Sequence, residues 1–178
     1  MDDKLSRYLN DHLAGSAGAV DLIEAIAKAC EEDEDIGFYR ELGRKVEQDR
    51  KVLHELILAT GKKSSRVLET AGKITAKAGR LKLMWEGLEP GDLGLFEALE
   101  MLVLGIQGKR ILWVVLRELQ PWTPEWEDID FAALEAEAIA QRDAVEERRV
   151  TAAMDALLSP ERRAAKLPEM ETQVLSSR

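Results

Sequence analysis

Three residue types with chemical potential stand where helical spacing assigns them to a core. His12 falls on a line with Leu5, Leu9, Ser16, Ala19, Ile23, Ile26 and Cys30; Asp49 falls on a line with Phe38, Leu42, Val46, Leu53 and Leu56; Lys109 falls on a line with Leu99, Leu102, Ile106, Trp113 and Leu116. A charge carried into an apolar interior is costly unless it is paired and hydrogen-bonded. Asp49 and Lys109 are therefore expected to meet. Near His12 the run Ala14 to Ala19 holds nothing larger than serine. Its two glycines each cost roughly 1 kcal/mol against alanine in a helix, so a neighbouring helix or a ligand must gain from the space. Two further chemistries are open on paper. Glu24, Glu47, Glu97 and Glu100 form a carboxylate set for a metal, and the reading favoured for them is a solvated face. Gly105 and Gly108 lie mid-helix rather than after a strand, which favours close helix packing over phosphate binding. No Gly-rich phosphate loop, nucleophile elbow or paired-acid motif is present, so no catalytic or cofactor-binding residue is expected.

The elements that position these residues all read as helices, because hydrophobic positions recur at spacings of three and four and hairpin turn signals are lacking. The first helix is expected over 5–30, ended by the acidic stretch at 31–35, with Asp35 as the cap of the second. The second stops at Gly61, a good residue just past a helix C-terminus. A third, over 65–87, is basic and amphipathic, with Val67, Ala71, Ile74, Ala78, Leu81 and Trp85 on one line and Arg66, Lys73, Lys77 and Arg80 opposite. That basic face is a candidate interaction surface for an anionic membrane or an acidic partner, although the reading favoured for it is lysines facing water over an apolar line that seals the bundle. A fourth helix begins after Asp92 and ends before Pro121. It is apolar all round at 101–104, which marks it as central. A fifth starts with either Thr123-Pro124 or Asp130 as its cap and ends near Ser159-Pro160. Trp122 and Trp126 between the last two helices are expected to form a lid over one end of the bundle, or a docking patch. Residues 1–158 read as one domain, followed by a frayed tail over 159–178.

In an antiparallel hairpin turning near residue 33, positions whose numbers sum to about 66 share a height, since both helices rise about 1.5 Å per residue. Ser16 then faces the neighbourhood of Arg50, and the small run faces 47–52. If the third helix returns the chain to the top, the fourth descends parallel to the second at an offset of about 57, with Lys109 opposite Val52. The expectation is a polar layer of Asp49 and Lys109 completed by His12 or Ser16.

Two helical hairpins joined by a long crossover resemble the ferritin-like four-helix-bundle superfamily in helix order and crossover position. That resemblance implies an up-down bundle. The metal motif of its di-iron members, Glu-x-x-His on two helices, has no counterpart here: Leu9 and Lys51 stand three residues before His12 and His54. The fold is carried over, and the iron and oxygen chemistry is not.

Charge and composition narrow the function further. Residues 62–82 hold seven lysines and arginines against Glu69, a net of +6, which leaves −15 for the rest of a chain whose total is −9. An acidic protein lacks the positive field that specific nucleic-acid binding needs. Cys30 is the only cysteine, which excludes an intramolecular disulfide and suits a reducing cytoplasm. Neither a signal peptide nor a transmembrane segment is read from the apolar runs. The leading expectation is a non-enzymatic bundle with an interaction or assembly role, without cofactor and with a partner protein of unknown identity. The rivals are a divergent ferritin-like metal-binding oxidoreductase and a carrier of an apolar small molecule. The protein is expected to be a monomer or homodimer, with the crossover covering the strip of Leu104, Ile111 and Val115.

Overall fold

The computed structural model describes residues 3–29, 33–61 and 92–163. The expected helix over 65–87, including Arg66, Lys73, Lys77 and Arg80, lies outside the described residues, as do Cys30 and most of the expected tail. The described chain is helical, with four long helices: α1 (Asp3–Ala29), α2 (Asp33–Ala59), α3 (Asp92–Leu119) and α4 (Phe131–Leu157). None of these is long and apolar enough to cross a membrane.

Local chemistry sets the ends. Gly61 adopts φ +74° just past α2, where its missing Cβ removes the cost of left-handed backbone. Its N–H and the Thr60 hydroxyl donate to the carbonyls of Leu58 and Ile57, at 3.0 and 2.6 Å. Pro121 ends α3 in two short 3₁₀ turns, Gln120–Trp122 and Pro124–Trp126. Of the two caps expected for α4, Asp130 is the one used, accepting from the Ala133 N–H at 2.9 Å. Thr123-Pro124 instead opens the second 3₁₀ turn, and its threonine side chain makes no capping bond. Gln120 fastens this link by donating to the carbonyls of Trp126 and Ile129, at 2.8 and 2.9 Å.

Two hydrophobic clusters give the helix directions. One joins Leu9 and Leu13 of α1, Leu53 to Ile57 of α2, Leu112 to Leu116 of α3, and Phe131 and Ala138 of α4. The other joins Ile23 and Ile26, Tyr39 to Val46, Ala98 to Ile106, and Val145 and Ala152. So α1 and α4 run one way and α2 and α3 the other. Gly61 and Asp92 therefore lie toward opposite ends of the bundle. Trp126 is fully buried and donates to the Leu56 carbonyl at 3.2 Å, closing the first cluster as a lid. Trp122 does not share that role: it is 79 % exposed.

Ion pairs tie α4 to its neighbours. Arg110 and Arg117 both reach Glu135, at 2.9 and 2.8 Å, and Arg148 lies over the Phe38 ring at 3.5 Å. On α3 Leu104, Ile111 and Val115 are exposed, Leu104 to 65 %; the crossover expected to cover them lies outside the described residues.

Candidate functional site

Each helix carries a polar side chain at the seam between the two clusters. On α1, Ser16 lies between Leu13 and Ile23; on α2, Asp49 lies between Val46 and Leu53; on α3, Lys109 lies between Ile106 and Leu112; on α4, Gln141 lies between Ala138 and Val145. Asp49 and Gln141 are the buried polar residues of the described core, 7 % and 5 % exposed. The Lys109 ammonium donates to the Asp49 carboxylate and to the Gln141 side-chain oxygen, joining α2, α3 and α4. Its parallel offset from Asp49 is 60 residues, three more than expected, a difference of about one helical turn.

Gln141, rather than His12 or Ser16, is the second acceptor of Lys109. Ser16 is held elsewhere: its hydroxyl donates to the Leu13 carbonyl at 2.6 Å and accepts from Arg50 Nε at 3.0 Å. His12 packs edge-on against Tyr8, ring centroids 4.7 Å apart. Sequence reasoning missed Gln141, yet a signal was there. The residue lies on the apolar line Phe131, Leu134, Ala138, Val145 and Ala152, in the same core-line position that marked Asp49 and Lys109.

The layer is connected to the surface on one side. Gln141 donates to Glu137 at 3.4 Å, and Glu137 is paired with Lys45 at 2.5 Å. The hydrogen bond from Lys45, aided by one from Gln141, holds the Glu137 carboxyl below the usual range. Burial pushes the Lys109 ammonium below the usual lysine range despite the opposing pull of Asp49, and burial likewise lowers His12, against Asp11.

On the other side of Lys109, among α1, α2 and α3, lies a cavity of about 330 Å³. Gly15, Ser16 and Ala19 form its α1 wall, and Gly105 and Gly108 open its α3 wall between Ile106, Leu112 and Trp113. A Cβ placed on Gly15, Gly105 or Gly108 would meet nothing within 4 Å. That corrects the expectation for Gly105 and Gly108. They do not bring helices into closer contact; Gly105 is exposed and Gly108 half-buried, and they border an open cleft. Asp11, His12, Ser16, Asp49, Arg50 and Lys109 give the largely apolar wall its polar points.

The carboxylates weighed as a metal set and read in preference as a solvated face are dispersed. Glu47 pairs with Arg50 at 2.6 Å and Glu100 with Arg149 at 3.2 Å, while Glu24 and Glu97 are exposed. Among the described residues no three His, Cys, Asp or Glu side chains gather closely enough to hold a metal ion. The fold and site together define a helical bundle with a buried polar layer and an adjoining cavity. Compared with known proteins, the chain matches no family model, no curated protein and no solved structure.

Proposed function

We propose that this protein binds a small, predominantly apolar molecule between α1, α2 and α3, in a non-enzymatic carrier or sensing role. The observation that carries the reading is an open, largely apolar cleft of about 330 Å³ bordered by Gly15, Gly105 and Gly108. Glycine inside a helix costs stability, and with Gly15 and Gly105 exposed and Gly108 half-buried none of the three is repaid by packing against a facing helix, whereas a ligand seated in the cleft would use the space they leave. The volume falls at the lower end of the range usual for small-molecule sites. The order of helix directions suits a ferritin-like bundle, and the proposal takes that architecture without its metal chemistry; the lone cysteine suits the cytoplasm.

The test is thermal unfolding with and without cyclohexane, on the full chain and on Gly105→Leu. A ligand that binds only the folded state raises the melting temperature by mass action. The rise is expected in the native chain and lost in Gly105→Leu. Equal behaviour of the two proteins, or no rise in either, overturns the reading. Native mass spectrometry of the purified protein, showing a retained small molecule, would support it directly.

A second reading, assembly through α3, is favoured by its exposed apolar strip. Met101, Leu104, Ile111 and Val115 stand at spacings of three, seven and four and are each at least 40 % exposed, the pattern of a helix face that pairs with another.

A further inference from the structure

Five positions on one line of α3 face outward. Met101, Leu104, Ile111 and Val115 are 46 %, 65 %, 48 % and 40 % exposed, and half-buried Gly108 stands among them with open space where a Cβ would be. The five follow one another at three and four, the spacing of a helix face that receives another helix.

The part of the chain outside the described residues has the length to cover them. The Asp49 and Lys109 pair fixes an offset of 60 residues between α2 and α3 at equal height. Gly61 is then level with about residue 121, and the start of α3 at Asp92 stands ~43 Å away along the bundle. Residues 62–91 join these two points. As a helix they would rise ~45 Å, whereas an extended chain would reach about twice as far.

A helix centred in this segment near residue 76 is level with the middle of the span, near residue 106 of α3. It runs antiparallel to α3, so positions whose numbers sum to about 182 share a height. Ala71 then meets Ile111, Ile74 meets Gly108 and Ala78 meets Leu104, each small residue of one line standing against a large residue of the other. Val67 and Leu81 extend the match to Val115 and Met101, and Trp85, level with Glu97, is within a turn of Leu93, itself 51 % exposed. A slip of one turn either way would set alanine against glycine and Ile74 against Leu104 or Ile111, so shape selects the register.

Charge agrees with the fit. The segment 62–91 carries seven lysines and arginines against three glutamates, a net of +4, which leaves −13 for the rest of a chain whose total is −9. Opposite net charge draws the two together. With the apolar line on α3, the basic line of Arg66, Lys73, Lys77 and Arg80 stays in water. The short tether also gives the segment an effective concentration on the order of mM, which sets it ahead of a second copy for the same face.

We infer that residues 62–91 form a helix seated antiparallel on the outer face of α3, with Ile74 over Gly108. This names for that face an occupant other than the second copy of the assembly reading. It is independent of the ligand reading, because the four large side chains of the strip lie outside the lining of the cleft.

Cysteine pairs in the full chain carrying Cys30→Ser test the inference. Ala78→Cys with Leu104→Cys is expected to oxidise to a disulfide within one chain, seen by light scattering as a monomer and by mass spectrometry as the loss of two hydrogens. Lys73→Cys with Leu104→Cys, from the opposite line of the segment, is expected to oxidise more slowly. Equal rates for the two pairs, or a bond between chains, overturns the inference. A further readout needs no cross-link: the thiol of Leu104→Cys alone is expected to react with a maleimide about tenfold more slowly than that of Glu125→Cys, an exposed position between α3 and α4. Equal reactivity would mean an open face, and protection that accompanies a dimer in light scattering would assign the face to a second copy; either result overturns the inference.

Discussion

Lys109 illustrates how a single residue acquires a role from its partners. Its side chain is 13 % exposed and that of Asp49 10 %, so solvent screens the pair little. Removing one partner from a buried pair costs on the order of 3 to 5 kcal/mol, because the other charge is left without compensation. Asp49→Ala and Lys109→Met are each expected to destabilise by that amount in denaturant unfolding, and the double variant to recover part of the loss. Additive effects below about 1 kcal/mol would mean that both side chains are solvated. His12 gives a pH signature. Burial lowers its pKa in the folded chain, so the unfolded chain takes up the proton first as pH falls. Its contribution is present above the ordinary histidine value, near 6.5, and is lost as pH drops from there toward the lowered folded value. The native protein should therefore lose more stability than His12→Phe between about pH 7 and the acid side of that window, as read by urea midpoints.

At the scale of the helices, the glycines of α1 and α3 and the cap of α4 make opposite demands. Alanine at Gly105 or Gly108 would meet open space, so each substitution should gain the helix-propensity difference, roughly 0.5 to 1 kcal/mol. The same methyl groups enter the cavity. Gly105→Ala with Gly108→Ala is expected to raise the melting temperature of the free protein while weakening its response to cyclohexane, the usual exchange of stability against function at a site. A fall in stability would show that the helices meet there after all. On α4, Asp130→Ala removes the acceptor for the Ala133 N–H and should cost about 1 kcal/mol.

For the whole molecule the open matter is what meets the exposed face of α3. Leu104, Ile111 and Val115 face outward together with Met101, and a continuous apolar face on a helix is a strong surface for self-association. If a second copy meets it, light scattering finds a dimer in the native chain, converted to a folded monomer by Leu104→Lys with Ile111→Lys. A native monomer unchanged by that double variant would dismiss assembly through this face and leave ligand binding as the sole proposal. Because the cavity opens among α1, α2 and α3 and the strip lies on exposed positions of α3, the two functions can be separated by mutation.

Much of the architecture was legible in the residues alone, for reasons that are local. Spacing of three and four marks the apolar face of a helix, and Pro121, Gly61 and Asp130 act on backbone atoms within a turn of themselves. The Asp49 and Lys109 assignment to the core came from the same periodicity, as did the height of Ser16 near Arg50, since a helix rises by a constant amount per residue. What the tertiary structure alone decided is which side chain completes a pair and whether small residues close a gap or leave one. Gln141 reaches Lys109 from α4 because α4 packs on α3, a choice of neighbour that no single helix encodes. Ser16 is taken by Arg50 and Leu13, so it was never free for the layer. Gly105 and Gly108 read the same in sequence whether a helix packs over them or they border an open cleft; the tertiary structure, which leaves Gly105 exposed and Gly108 half-buried, distinguishes the two, because the width of the cleft is set by the larger side chains of three helices together.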